Sequence, residues 1–158
     1  MFKTIFFSIA LAISAAYASV SAQIELSPIG SFTAKSAKVR GKVVKKDDGS
    51  LFARKISVPV ESFKTGINLR DDHLVKRFGG HKRIVIKNAK GNDGKGVATL
   101  KMNGVTKKDV PFTFKEQDTK VSVSLKVSLS EFQIQDINYQ GIGVKDQVEI
   151  TAELPKKQ

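Results

Sequence analysis

The sequence contains no cysteine and no tryptophan, and only two tyrosines and two histidines occur among its 158 residues. Because thiols are absent, the chain forms no disulfides, has no thiol nucleophile and offers no thiolate ligands for zinc or iron–sulfur clusters. Because tryptophan is absent and tyrosine is scarce, the aromatic girdles of a membrane-spanning β-barrel are missing, which argues against that class. His73 and His81 have no spacing typical of a metal site, so no metal is expected.

Acidic residues are also few, with 15 against 27 lysines and arginines, and the formal net charge is +12. This excess has three interpretations: a solvated surface, attraction to anionic lipid headgroups or cell-surface polymers, or nucleic-acid binding. Aromatic residues are not interleaved with the basic runs, and most lysines occupy strand positions that should face water. We therefore expect no nucleic-acid partner, and transient contact with an anionic membrane surface stays open beside the solvated surface.

Residues 1–22 are typical of a secretory signal peptide. Lys3 carries the only charge, an apolar run covers residues 5–16, and small residues lead to Ala18 and to Ala22 in two A-x-A-like settings. The apolar run is short for a bilayer span. We therefore expect residues 1–22 to be removed on export, leaving a periplasmic or secreted protein.

The rest of the chain is long enough for one domain with its own core. We expect a single β-barrel domain over residues 23–154, followed by a polar, frayed tail over residues 155–158. Residues 24–29 are interpreted as a lead-in segment that precedes the first strand.

Apolar and polar residues alternate along most of this domain, which is typical of strands with one dry face and one wet face. Pro59 indicates an edge, a bulge or a strand end, since proline cannot donate to a ladder. Residues 90–96 are interpreted as a long polar hairpin loop. Strands are expected near residues 30–34, 37–45, 52–60, 83–88, 98–103, 110–114, 121–129 and 147–154. Such sequential hairpins fit a closed up-and-down barrel or a two-sheet sandwich.

One short helix is predicted near residues 69–78, where the spacing between apolar residues changes from two positions to four. Asn68 stands at the expected N-cap, and Gly79 supplies the positive φ of a common helix stop. Acidic residues in the first turn and basic residues in the last complement the macrodipole. Leu74 and Phe78 form the apolar underside of a predicted lid. The opposite side, facing solvent or a ligand headgroup, is expected to carry Arg70, Asp71 and Lys76.

Three segments resemble the YceI-like family of exported lipid- or polyisoprenoid-binding proteins. They are TGINLRDDHL at residues 65–74, NGVTKKDVPFTF at 103–114 and EFQIQDINYQGIGVKDQVEITAEL at 131–154. The resemblance implies an antiparallel, lipocalin-like barrel of about eight strands whose interior holds a long apolar chain, with the helix near its mouth. The stretch GGHKRIVI at residues 79–86 departs from the Tyr-Pro step usual in the family.

A barrel of this size either fills its interior with side chains or holds one small ligand. On the second alternative, the cavity lining comprises Phe52, Ile56, Val58, Val60, Phe63, Leu69, Leu74, Phe78, Leu100, Met102, Phe112, Phe114, Val123, Leu125 and Phe132. Arg70 and His73 are the candidates for contact with a ligand headgroup. The alternative for Arg70 is that it only braces the helix against neighbouring loops.

The sequence thus predicts an exported protein that holds a polyisoprenoid, quinone or fatty-acid-like lipid for transport or storage. No nucleophile elbow or metal-ligand spacing occurs, so no catalysis and no cofactor is expected beyond a bound isoprenoid or quinone as ligand. The alternative is a filled-core β module that binds anionic cell-surface groups through its basic exterior. A dimer is compatible with either interpretation.

Overall fold

The computed structural model describes residues 18–139 and 141–157. Its elements are β1 (Ser19–Ser27), β2 (Ser31–Ser36), β3 (Val43–Lys45), β4 (Leu51–Pro59), α1 (Asn68–Arg77), β5 (Arg83–Asn92), β6 (Lys95–Met102), β7 (Val105–Glu116), β8 (Lys120–Ser128), β9 (Asn138–Tyr139), β10 (Ile142–Val144) and β11 (Gln147–Lys157). Short 3-10 turns follow β4 at Val60–Ser62 and β8 at Leu129–Phe132. No helix in the described ranges is long and apolar enough to cross a membrane.

Seven strands form a closed ring in the order β3, β4, β5, β6, β7, β8 and β11. Each is antiparallel to the next, and the ring closes where β11 runs parallel to β3, pairing Lys156 with Val43 and Lys157 with Val44. The predicted lipocalin-like barrel with one inserted helix is therefore confirmed, with seven ring strands and a parallel closure. β1 pairs with β11, β2 and β10 outside the ring.

The first strand begins at Ser19, four residues before the expected N-terminal boundary at residue 23. Ser19–Ala22 form the first half of β1, paired on one side with β11 and on the other with β2. The segment interpreted as a lead-in is the second half of the same strand. The remainder of the predicted signal peptide, residues 1–17, lies outside the described residues.

The polar tail expected over residues 155–158 is not frayed as far as Lys157, because β11 continues through Pro155 to Lys157 and supplies the closing pairs with β3. Lys156 Nζ lies 3.0 Å from Glu116 Oε1, which Lys45 Nζ approaches to 2.8 Å from another strand. The strand was predicted to end at Leu154 because the alternation of apolar residues stops there. The polar residues beyond it, which pair with β3, show no apolar alternation.

Two other strand boundaries differ from the prediction. Residues 37–42 are not a strand but an irregular segment held to β4 by one bridge between Arg40 and Ser57. The loop expected at residues 90–96 is instead a two-residue turn at Asp93 and Gly94, whose φ values of 52° and 79° match the hairpin turns favoured by strand twist. Residues 90–96 were predicted to form a loop because they are polar, but most of them extend the strands β5 and β6. The expected strand end at Pro59 is confirmed.

Helix α1 begins one residue earlier than predicted, and Ile67 rather than Asn68 occupies the N-cap without a side-chain bond. Asp71, expected to face solvent, is buried at 8% exposure and accepts hydrogen bonds from Thr65 N at 2.9 Å and Thr65 Oγ1 at 2.7 Å. The helix is thus fastened through its first turn to the loop before it. At its end Gly79 has φ 53°, as the helix stop requires.

Candidate binding cavity

The barrel encloses a cavity of about 870 Å³, a volume within the usual range for ligand sites. Its walls are the inward faces of the ring strands and of β1 and β2, and α1 covers one end. We call this end the mouth; the β1–β2 turn and the β9–β10 hairpin also lie there, because Leu26 and Ser27 pair with Val144 and Gly143. Because side chains leave this cavity inside the barrel, the structure does not agree with the alternative of a filled core.

Fourteen of the fifteen residues predicted to line the cavity do line it. They are Phe52, Ile56, Val58, Val60, Phe63, Leu69, Leu74, Phe78, Leu100, Met102, Phe112, Phe114, Val123 and Leu125. Most of them alternate along strands, and a period of two decides which face of a strand points inward.

Phe132 is the exception. It is buried at 1% exposure in the core but is not part of the cavity wall. It ends the 3-10 turn after β8, and its carbonyl oxygen accepts a hydrogen bond from Asn103 Nδ2 at 3.0 Å. The alternation of inward and outward side chains holds only within β8, which ends before this turn. It therefore could not predict on which side Phe132 lies.

The sequence prediction missed lining residues on most strands. The largest missed sets are Val20, Ala22, Ile24 and Leu26 on β1, Phe32 and Ala34 on β2, Ile84, Ile86, Ala89 and Gly91 on β5, and Val148, Ile150, Ala152 and Leu154 on β11. The β11 alternation was visible in the sequence and could have added its four residues to the lining. The β1 alternation starts inside the segment assigned to the signal peptide, so that assignment concealed it.

Ionisable side chains reach the cavity from only one element in the described ranges. They are Arg70, His73, Lys76 and Arg77 of α1, and no aspartate or glutamate of the described residues lines the wall. The other polar lining side chains are Ser57, Thr65 and Asn138. The mouth is therefore cationic, while the rest of the cavity is apolar.

Arg70 lies over the ring of Phe32 on β2, with its guanidinium carbon 4.1 Å from the ring centroid. A cation in that position is attracted by the ring face, worth about 0.5–1 kcal/mol at an exposed site. Arg70 is half-buried and lines the cavity, whereas His73 lines it from an exposed position. The two predicted headgroup candidates are therefore brought together at the mouth.

Arg77 holds the other end of α1. Its guanidinium donates to the carbonyl oxygens of Gln135 at 3.2 Å and Asp136 at 3.0 Å, in the segment before β9. Leu74 packs against the core from the middle of α1, and Phe78, just beyond the helix, is buried. The predicted apolar underside of the helix is therefore present, fixed between β2 and residues 135–136.

The second histidine lies apart from this group. A methyl group added at Gly104 would meet the ring of His81, so His81 packs on the β6–β7 turn, and it does not line the cavity. Across residues 18–139 and 141–157, no group of three or more His, Asp or Glu side chains could hold a metal ion.

The pKa of Asp71 is held below its ordinary value of 3.8, mainly by the hydrogen bond from the Thr65 hydroxyl, with help from the Thr65 amide, Lys64 and Arg70. Burial opposes this shift but does not overcome it. The carboxylate is therefore charged near neutral pH, and it balances part of the positive charge of α1 from outside the cavity wall.

The family model of the YceI-like domain matches residues 11–155. The fold is similar to BcnA of Burkholderia cenocepacia, with a TM-score of 0.70 and 16% identity over 89% of this chain and 96% of that one. It is also similar to a polyisoprenoid binding domain from Saccharophagus degradans implicated in plant cell wall breakdown, with a TM-score of 0.62 and 11% identity over 86% and 91%. At these identities the likeness concerns the fold alone. Comparison with curated proteins gives no match.

Proposed function

The chain belongs to the YceI-like family, and from this premise we propose that it binds a long-chain amphiphile and holds it for transport or storage without catalysis. The observation that carries the proposal is the 870 Å³ cavity, whose wall is apolar except near α1. Such a wall can shield a chain from water, and it offers no carboxylate pair among the described residues for acid–base chemistry. The description of the Saccharophagus degradans relative as polyisoprenoid binding supports the same ligand class.

The hydrophobic effect is large enough for this role. Burying ten methylene groups contributes about 8 kcal/mol before the ordering of ligand and side chains is subtracted. That value supports affinities no tighter than about micromolar for a short chain, and each further methylene strengthens binding. Polyisoprenoids, quinones with isoprenoid tails and long fatty acids all meet this requirement.

We propose further that Arg70 and His73 contact the polar head of the ligand. Arginine carries only hydrogen-bond donors, so the head must present acceptors such as a carbonyl, carboxylate or phosphate oxygen. The surrounding Lys76 and Arg77 add positive charge, which favours an anionic head over a neutral one.

The ligand class is tested by purifying the mature protein without detergent and recording its native mass before and after extraction with organic solvent. We expect an extractable apolar compound, or uptake of an added fluorescent long-chain lipid from a soluble carrier. A protein that carries no such compound and takes up no lipid would overturn the proposal.

The headgroup is tested by comparing a long-chain fatty acid with the alcohol of equal length. Arg70→Gln should weaken binding of the acid about ten- to hundredfold, because a hydrogen bond to a charged group contributes about 1.5–3 kcal/mol, and should leave the alcohol unaffected. The matched control is Arg54→Gln, since Arg54 is exposed on β4 and does not line the cavity. Equal loss for acid and alcohol would assign Arg70 a bracing role only.

Export to the periplasm or the medium is part of the proposal. The composition of the N-terminus supports it, and the pairing of Ser19–Ala22 within β1 favours cleavage after Ala18, the earlier of the two candidate positions. Intact mass of the exported protein distinguishes a chain beginning at Ser19 from one beginning at Gln23. The shorter chain would mean that β1 forms without its first four residues.

A further inference from the structure

Six large apolar side chains in the described ranges are exposed, and four of them surround the mouth of the cavity. Ile29 is 84% exposed, Leu69 56%, Ile67 49% and Ile142 48%. We call these four residues the apolar rim. Ile67, Leu69 and Ile142 also line the cavity, so the rim is continuous with the apolar interior.

The rim comes from three separate segments that the fold brings together. Ile29 lies in the β1–β2 turn, which is closed by a hydrogen bond from Leu26 N to Gly30 O of 2.8 Å. Ser27, at the end of β1, pairs with Gly143, the neighbour of Ile142, so these two hairpin tips are adjacent. Ile67 is the N-cap of α1 and Leu69 lies in its first turn, and the contact between Arg70 and Phe32 ties this helix to β2.

Basic residues accompany the rim. Residues 64–77 contain four basic side chains and two acidic ones, and one of the acidic side chains, Asp71, is buried against Thr65. Lys64, Lys76 and Arg77 are exposed. Aliphatic side chains flanked by cations match the boundary between the acyl chains and the anionic headgroups of a bilayer.

We propose that the apolar rim is a docking surface for an anionic lipid bilayer, through which the ligand passes between the membrane and the cavity. The inference rests on the proposed function for its purpose, because an amphiphile that is insoluble in water must be collected from a membrane. Ile29 inserts deepest, since it is the most exposed rim residue and has no place in the cavity wall.

The absence of tryptophan permits a direct test. In Ile29→Trp the single indole should show blue-shifted fluorescence and protection from an aqueous quencher when vesicles of phosphatidylglycerol are added. The shift should be smaller with phosphatidylcholine and should diminish as salt screens the charges. The matched control is Val97→Trp, because Val97 is 43% exposed on β6 and lies far from the mouth. Its fluorescence should not change.

A second variant measures the contribution of the side chain. Ile29→Ser should lower partitioning into phosphatidylglycerol vesicles about tenfold, as expected for one lost aliphatic contact, while Val97→Ser leaves it unchanged. Uptake of a fluorescent lipid delivered by a soluble carrier should be the same in both. If the protein binds vesicles but takes up no lipid, the proposed function is wrong and the docking surface is supported. If it takes up lipid but binds no vesicles, the docking surface is wrong and the proposed function is supported.

Three results would overturn the docking surface. Ile29→Trp could show no shift with either vesicle, or Val97→Trp could shift equally. A shift that appears without vesicles and grows with protein concentration would mean that a second copy of the chain covers the rim, and sedimentation would detect that dimer.

Discussion

Asp71 fastens the start of α1 by accepting hydrogen bonds from both the amide and the hydroxyl of Thr65, and it is therefore one of the groups that hold the helix over the mouth. Because the folded pKa lies below the ordinary value of 3.8, the charged form contributes to stability at every pH above that value. The contribution is lost as the pH falls through the lowered pKa.

We therefore expect Asp71→Asn to lower the melting temperature at pH 6, and the difference from the unsubstituted protein to shrink as the pH falls below 3.8. Thermal unfolding followed by circular dichroism over this pH range measures the difference. Asp72→Asn is the control, since Asp72 is exposed in the same turn. A difference that does not change with pH would mean that the charge of Asp71 plays no part.

Gly96 makes room for an aromatic ring of the cavity wall. It pairs with Gly91 across β5 and β6 and with Phe112 across β6 and β7. A methyl group added there would meet both the carbonyl oxygen of Lys90 and the ring of Phe112. The backbone oxygen cannot move aside without disturbing the β5–β6 ladder.

Gly96→Ala should therefore lower the free energy of unfolding by about 1–3 kcal/mol, as overpacking usually does. Gly80→Ala is the control, because nothing lies within 4 Å of the added atom, and it should change stability by less than about 0.5 kcal/mol. Urea unfolding measures both. Equal values for the two variants would contradict the close packing at Gly96.

At the scale of the element, helix α1 has hydrogen-bonded anchors at its two ends, while Leu74 and the contact between Arg70 and Phe32 hold its middle. Thr65 and Asp71 fasten its first turn, while Arg77 joins its last turn to the carbonyl oxygens of Gln135 and Asp136. An element with few anchors can open locally without unfolding of the barrel, and binding sites are commonly covered by such elements.

Arg77→Ala should remove the second anchor and speed hydrogen exchange of the α1 amides by up to about thirtyfold, because two hydrogen bonds of about 1 kcal/mol each are lost. The exchange of β8 amides should stay unchanged. Val75→Ala is the control, since Val75 is exposed on α1 and lies outside the cavity wall. Faster exchange throughout the barrel would mean that Arg77 stabilises the whole fold rather than the lid.

The same helix illustrates what local sequence predicts. Its position, its glycine stop and its apolar underside at Leu74 and Phe78 follow from periodicity and capping rules, which depend on neighbours in the chain. The N-cap of the helix and the burial of Asp71 do not follow from these rules. The partner of Asp71 is Thr65 in the preceding loop, and the loop conformation, not the helical period, brings the two together.

At the scale of the molecule, the barrel depends on a short parallel seam between β3 and β11. Two residue pairs, Lys156 with Val43 and Lys157 with Val44, close the ring. Glu116 bridges the same region by binding Lys45 and Lys156, and hydrogen bonds from both lysines lower its pKa. This end of the barrel is therefore joined by backbone pairing and by a charged cluster.

Truncation after Leu154 should lower the free energy of unfolding by at least about 2 kcal/mol, because it removes the pairing with β3, the hydrogen bond from Lys156 N to Thr119 O and the ion pair of Lys156 with Glu116. Lys157→Ala is the control, because it keeps the backbone pairing and removes only an exposed side chain. Urea unfolding of both variants measures the difference. An unchanged midpoint after truncation would show that the seam does not stabilise the barrel.

The all-β class, the position of the helix and fourteen of the lining residues could be predicted from the sequence alone. These features follow from the spacing of apolar residues by two positions in strands or four in the helix. Such spacing can be read within each segment without knowledge of the others. The seven-strand ring, its closure by Lys156 and Lys157, the pairing of Ser19–Ala22 and the presence of an interior cavity are visible only in the tertiary structure. The physical reason is that ring closure joins residues more than a hundred positions apart, and a cavity depends on the balance of volume between all the strands, so neither leaves a periodic signal in any one segment.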